Sequence, residues 1–357
     1  MMNIPQRLLE VIRQESERLS ISSYDITKLQ GDASSRVYYR IQSPKKNFVA
    51  MVLPENQPTS LAEEVTKVSG EITELPFISI QKFFKSSVPV PEIHAYDEKK
   101  GVLLLEDFGD DLLLYSAEKA DLKTQESLYK TSLDELAKIC ELGKKPNKCI
   151  AFQRSFDRDL YNWEFLHFVE YAIDKPLAGK VTPGDREDIL KSLYDITAKY
   201  LTWDQLISHR DYHSRNLMVL KGDKPAIGII DFQDALVAPV FYDLASLLRD
   251  SYIALDPTLQ DNLVEYYRQK IAHLELCNGK SRDEFRYAFD LMGLHRNMKA
   301  AGRFFYIDIV KKNPSYLKDV PRTLGYIRQT LEMHGKELSK LKGKLEPLLD
   351  AIAEKAR

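Results

Sequence analysis

The sequence predicts an α+β protein of two lobes, a small β-rich one followed by a larger, mainly helical one. Two observations carry this. The first hundred residues alternate short β-type runs with turn-forming residues, whereas beyond residue 108 long stretches of helical periodicity take over. A single strand–turn–strand interruption, residues 217–220 and 226–230, is embedded in the helical part. We therefore expect one lobe over 1–108 and a second over 109–357. A chain of 357 residues divides this way because single cores stop growing at about 250–300 residues. The cleft between two such lobes is where ligands bind.

In chain order, residues 6–19 follow Pro5 and mix Arg7, Glu10, Arg13, Glu15, Glu17 and Arg18 with Leu8, Leu9, Val11 and Ile12. This is an amphipathic surface helix and not the apolar core of a signal peptide. Residues 37–41 and 48–53 are β-type runs joined by Ser43-Pro44-Lys45-Lys46-Asn47, a hairpin. Ser60 with Glu63 three residues later forms a capping box that starts a helix. Residues 77–85 read as helix and stop before Val88-Pro89-Val90-Pro91, whose prolines forbid continuation. A second hairpin follows, 93–96 with 102–105. Helices are expected over 124–141, 156–172, 186–201, 257–276, 282–305 and 316–349, the last as one continuous charged tail.

Composition excludes several function classes. With 44% apolar residues the chain can bury a large core. Fifty-one basic against 53 acidic residues leave a net charge of −2, so no global field attracts nucleic acid. The longest aliphatic run, 102–105, is far short of a membrane span. Three cysteines (Cys140, Cys149, Cys277) show no metal or redox spacing, which fits a reducing, cytoplasmic setting. No membrane, nucleic-acid or obligate protein partner is expected.

One segment carries chemistry. His209-Arg210-Asp211 is followed by Asn216, and Asp231 ends the apolar run Ile229-Ile230 twenty residues after Asp211. The first four identities fit the kinase catalytic-loop pattern H-R-D-x-x-x-x-N. Phosphoryl transfer needs a carboxylate aimed at the attacking hydroxyl, and oxygen ligands that hold Mg²⁺ on the nucleotide phosphates. Asp211 suits the first task; Asn216 and Asp231 suit the second. A merely structural polar loop would not require the second acid at the end of the next strand.

Four segments together resemble a known family: Gly31-Asp32-Ala33-Ser34-Ser35-Arg36, residues 104–110, residues 209–218, and Asp231-Phe232-Gln233-Asp234-Ala235 onward to Asp250. The wording resembles the aminoglycoside phosphotransferase and choline kinase superfamily, and within it the anomeric kinases of N-acetylmuramate and N-acetylglucosamine that serve cell-wall recycling. The resemblance implies a bilobal protein-kinase-like fold, ATP and Mg²⁺ as cofactors, and a small-molecule sugar whose C1 hydroxyl is the acceptor. It implies that Gly31, Ala33, Ser34, Ser35 and Arg36 lie over the triphosphate, and that Glu106 and Phe108 line the adenine site in the linker. It further places His209 and Asp243 behind the catalytic loop, and His213, Arg215 and Asp234 toward the acceptor. On a helix Arg296, Lys299 and Arg303 share one face. We expect that face to receive a lactyl carboxylate, with His295 bonding sugar hydroxyls. Trp163 either stacks on the sugar or packs in the core.

The chain departs from kinases at one point. Its third strand, Phe48-Val49-Ala50-Met51-Val52-Leu53, lacks the lysine that holds the α/β-phosphates. Arg36, Arg40 or one of Lys45 and Lys46 must then supply that charge, or metal and backbone suffice. Two other readings follow. A kinase of an aminoglycoside, choline or another amino alcohol would require an acidic acceptor pocket. A non-catalytic nucleotide-binding pseudokinase would explain the missing lysine.

Overall fold

The structure is a computed structural model that describes residues 4–29, 36–54, 66–222, 225–274 and 281–357. The helix expected from Ser60, and Gly31, Ala33, Ser34 and Ser35 of the glycine loop, lie outside the described residues.

Helix α1 (Gln6–Glu15) precedes strands β1 (Asp25–Lys28), β2 (Val37–Gln42) and β3 (Phe48–Val52); α2 (Pro76–Phe84), β4 (Ile93–Asp97) and β5 (Val102–Glu106) follow. The five strands form one antiparallel sheet in the order β1-β2-β3-β5-β4. Alternation along each strand sends residues to opposite faces. Ile41, Ala50, Val52, Val102 and Leu104 pack with Leu8, Val11 and Ile12 of α1. Met51, Leu103 and Leu105 join Phe77, Ile80 and Phe84 of α2 in the core that continues through the helical lobe. Strand β1 escaped the sequence reading because it lies at the sheet edge with three of four residues exposed, which leaves no alternation to read.

The second lobe comprises α3 (Leu113–Lys119), α4 (Leu122–Gly143), α5 (Arg158–Phe168), α6 (Pro183–Tyr200), β6 (Gln205–Ser208), β7 (Leu217–Leu220), β8 (Ala226–Ile229), β9 (Leu236–Pro239), α7 (Phe241–Leu248), α8 (Pro257–Lys270), α9 (Arg282–Lys311), α10 (Val320–Met333) and α11 (Ser339–Lys355). Strands β7 and β8 form the expected hairpin, and β6 pairs antiparallel with β9. The loop after β6 and the loop after β8 therefore emerge side by side. Ser281 caps α9 in a reciprocal box with Glu284.

The continuous tail helix expected over 316–349 is corrected. A 3₁₀ segment, Pro314–Asp319, is followed by two helices broken at residues 334–338. The break lets one apolar sequence stripe serve two partners, since α10 packs on α9 and α11 on α6. His334, at the end of α10, turns its ring onto Asp290 of α9.

Helix α9 is the pillar of the lobe, and it crosses α5 at Gly302. A Cβ there would stand 2.7 Å from the Phe168 Cα. Gly302→Val is expected to destabilise the protein by about 1–3 kcal/mol, read as a lowered melting temperature, because backbone cannot yield as a side chain does.

Candidate active site

The chain leaves β6 at Ser208 and turns through Arg210 in the left-handed region, φ 79°; Asp231, after β8, has φ 61°. For residues with a Cβ such backbone costs about 1–3 kcal/mol each and persists only where surroundings hold it. Here they do. Asp243, in the first turn of α7, accepts the backbone N–H of His209 (2.6 Å) and of Arg210 (3.0 Å). The His209 ring joins the two loops, with Nε2 2.9 Å from the Ile230 carbonyl and Nδ1 3.3 Å from the Asp211 N–H. That pattern corresponds to the tautomer in which Nε2 carries the proton. Asn216 Nδ2 donates to the Asp211 carbonyl at 3.0 Å and lies 3.5 Å from Asp231 Oδ2. Gln233 Nε2 donates to Asp231 Oδ1 and Asp234 Oδ2, each at 2.9 Å.

The Asp211 carboxylate faces α9. Arg296 Nη2 is 3.4 Å from Oδ1, and Lys299 Nζ is 3.5 Å. Lys299 also reaches Glu164 of α5 at 3.4 Å. Both cations donate to the Tyr242 hydroxyl, at 2.8 and 3.2 Å. Burial opposes ionisation of Asp211, but Lys299 and Arg296, then His213 and Arg210, overcome it and hold the carboxyl well below the ordinary carboxylate range. Glu164 behaves alike: burial opposes its charge, and Lys299, His295 and Arg210 hold it at about 2.

Two cavities meet at this loop. The larger, about 310 Å³, lies under the sheet and is lined by Tyr38, Val49, Glu106, Phe108, Arg215, Asn216 and Asp231, among others. The smaller, about 110 Å³, is lined by Asp211, His213, Tyr252, Arg296, Lys299 and Arg303 with their neighbours. Asp211 thus faces one cavity while Asn216 and Asp231 face the other. The Phe108 ring needs Gly228 behind it, where a Cβ would come within 2.6 Å.

Several expectations change on contact with the structure. His295 is wholly buried, its ring meeting Phe156, Tyr161, Phe165 and Tyr200 at centroid distances of 4.8–5.8 Å, and Nε2 bonds Glu164 at 2.7 Å. It therefore has no open face for a sugar; it holds Glu164, which holds Lys299. The reason is rotational, since adjacent helix residues point about 100° apart. Asp234 lies beside Asp231 and outside the lining of the smaller cavity. Arg215 lines the larger cavity, its guanidinium over Tyr252 (4.8 Å) and Tyr316 (5.5 Å). Trp163 stacks on His167 and lines neither cavity.

Of the proposed replacements for the strand lysine, Arg40 clamps Asp107, Asp110 and the Gly109 carbonyl. Lys46 lies against His94, 3.2 Å from its ring. Arg36 lies by the Tyr38 hydroxyl and acts electrostatically on Asp231. Met51, two residues past the cavity-lining Val49 and so on the same sheet face, is fully buried in the core with α2. Helix α2, Pro-Phe-Ile-Ser-Ile-Gln-Lys-Phe-Phe, carries no acid. Among the described residues the kinase Lys–Glu pair has no counterpart, since β3 carries no lysine and α2 no acid. Glu164 and Tyr252 were not read from sequence, and Tyr242 and Arg249 only as part of the run that ends at Asp250, because no local spacing links α5 and α7 with the α9 side chains they meet.

The family model described as "Phosphotransferase enzyme family" matches residues 25–277. An N-acetylmuramate/N-acetylglucosamine kinase of Neisseria meningitidis serogroup B (strain MC58) is 30% identical over 309 residues, 86% of this chain and 85% of that protein. One of Pseudomonas putida (strain KT2440) is 30% identical over 86% of this chain and 83% of its own. The solved aminoglycoside phosphotransferase APH(2'')-Ib, ADP-bound, superposes with a TM-score of 0.57 at 13% identity, covering 90% of this chain and 98% of that one. The fold is the bilobal kinase-like one.

Proposed function

The chain belongs to the phosphotransferase enzyme family, and on that premise we propose that it transfers the γ-phosphoryl group of ATP to the anomeric C1 hydroxyl of N-acetylmuramate or N-acetylglucosamine. The observation that carries this reading is the division of one loop between two cavities: Asp211 lines the smaller, cation-lined one, and Asn216, five residues on, lines the larger one, which is suited to a nucleotide.

The adenine lies beside Glu106 and Phe108, and the phosphates run toward Asn216 and Asp231. Those two side chains offer hard oxygens. The Asn216 amide nitrogen is engaged by the Asp211 carbonyl, which leaves Oδ1 as its acceptor face. The walls of the cleft, with Asp234 and Asp211, push the Asp231 carboxyl upward, the mark of a place short of positive charge. Two such ligands with phosphate oxygens suit Mg²⁺. When bound there, Mg²⁺ neutralises charge on the phosphates. Arg36, beside Tyr38 and Asp231, supplies the charge that the strand lysine gives elsewhere.

The acceptor lies in the smaller cavity with its hydroxyl on Asp211. This carboxylate is a weak base because of Lys299 and Arg296, so its task is chiefly to orient the nucleophile. An anomeric hydroxyl, more acidic than an ordinary alcohol, needs no stronger base, and in a loose phosphoryl-transfer transition state charge stabilisation outweighs proton removal. A polycationic aminoglycoside or choline would meet Arg296, Lys299 and Arg303, an arrangement of like charges that opposes binding. A reducing cytoplasm is the setting this chemistry fits.

ADP release with Mg²⁺-ATP tests the reading against N-acetylmuramate, N-acetylglucosamine, kanamycin and choline. Turnover of the amino sugars is expected, with phosphorus NMR placing the phosphate at C1. Turnover of kanamycin or choline alone would sink it. ATP binding without turnover of any acceptor would favour the pseudokinase.

A further inference from the structure

We infer that Arg303 is the residue that reads the acceptor's carboxylate, and so separates N-acetylmuramate from N-acetylglucosamine; this rests on the acceptor class proposed above. The sequence groups Arg296, Lys299 and Arg303 on one helix face, but the fold divides them. Arg296 and Lys299 are committed to Asp211, Glu164 and the Tyr242 hydroxyl. Arg249, also on the cavity wall, is buried and ion-paired with Asp290. Asp250, the other acid lining the cavity, accepts the backbone N–H groups of Ser214 (2.9 Å) and Tyr252 (2.8 Å). Arg303 remains. Among the described residues it has no acid within ion-pair distance, and its guanidinium lies over the Tyr306 ring at 4.9 Å.

A half-buried cation held by a ring face, with no counter-charge, is prepared for an anion. His167 beside it adds no second positive charge: burial and the charge of Arg303 lower it to about 4, so it is neutral. Spacing agrees with the chemistry. Arg303 is one helical turn beyond Lys299, about 6 Å along the axis. A pyranose with its C1 oxygen at Asp211 carries its C3 substituent across the ring, and in N-acetylmuramate that substituent is a lactyl ether ending in carboxylate. N-acetylglucosamine has a neutral hydroxyl at C3 and asks nothing of Arg303.

The test compares kcat/KM for N-acetylmuramate, its lactyl amide and N-acetylglucosamine in the parent, Arg303→Met and Arg303→Lys. Any loss common to all acceptors cancels in the ratios. In Arg303→Met the ratio of N-acetylmuramate to N-acetylglucosamine is expected to fall about tenfold or more, as for loss of a charged hydrogen bond. The preference for acid over amide should disappear with it, and Arg303→Lys should recover part of both. Unchanged ratios in Arg303→Met, with both sugars turned over by the parent, overturn the assignment alone. A parent that phosphorylates neither sugar overturns the acceptor class and the assignment with it.

Discussion

Asp211→Asn is expected to lower kcat by about 10²–10⁴-fold, the range over which a positioned proton acceptor contributes, while ATP binding persists. The split follows from the site. Asp211 faces the smaller cavity, whereas Glu106, Phe108, Asn216 and Asp231 line the larger one. Asparagine keeps the shape and the backbone carbonyl that Asn216 uses. It removes the charge that Arg296 and Lys299 balance, and the oxygen pair that orients the hydroxyl. Calorimetric titration with Mg²⁺-ATP beside steady-state ADP release measures both quantities. Loss of nucleotide affinity equal to the loss of turnover would mean that Asp211 serves the nucleotide and not the acceptor.

The second large effect concerns stability. Asp290→Asn is expected to cost about 3–5 kcal/mol in urea unfolding at neutral pH, the penalty for breaking one partner out of a buried charge network. Asp290 is fully buried and accepts from Arg249, Arg286 and His334. Arg249 also reaches Thr330 Oγ1 and the Tyr326 carbonyl of α10. The network thus ties α10 and the end of α7 to α9, next to Asp250, which holds the catalytic loop through Ser214. Burial resists ionisation of Asp290, but the bonded His334 and the two arginines outweigh it, so the folded carboxyl lies below its ordinary 3.8. A depressed carboxylate contributes fully above its unfolded value and loses that contribution as pH falls through its folded one. Parent and variant stabilities should therefore begin to converge as pH falls below 3.8 and meet only once pH is below the folded value, which lies lower still. A gap that persists there would assign the effect to packing.

The candidate catalytic loop was legible because its pattern is written locally: Asp211, Asn216 and Asp231 lie on two short loops, and the chemistry proposed for them fixes their spacing. The two hairpins and the long helices were legible because turn residues and periodic burial leave regular marks. The helix at Asp243, α7, was legible from its acidic first turn after Pro239 although all eight of its residues are buried; the edge strand β1 has no buried face and leaves no mark.

The sequence by itself determined the bilobal fold class, the family and the spacing that marks Asp211, Asn216 and Asp231 as the proposed phosphotransfer residues, since each rests on neighbours within a few residues or on one repeating interval. Tertiary structure alone decided the use of each cation. Arg296, Lys299 and Arg303 are equivalent on a helical wheel, yet packing α5 and α7 against α9 brings Glu164 and Tyr242 to the first two and leaves Arg303 open to the cavity. It likewise turned His295 into an aromatic core and filled the place of the strand lysine with Met51. Charge is a property of a residue; whether that charge is already answered depends on what the fold places within about 4 Å of it.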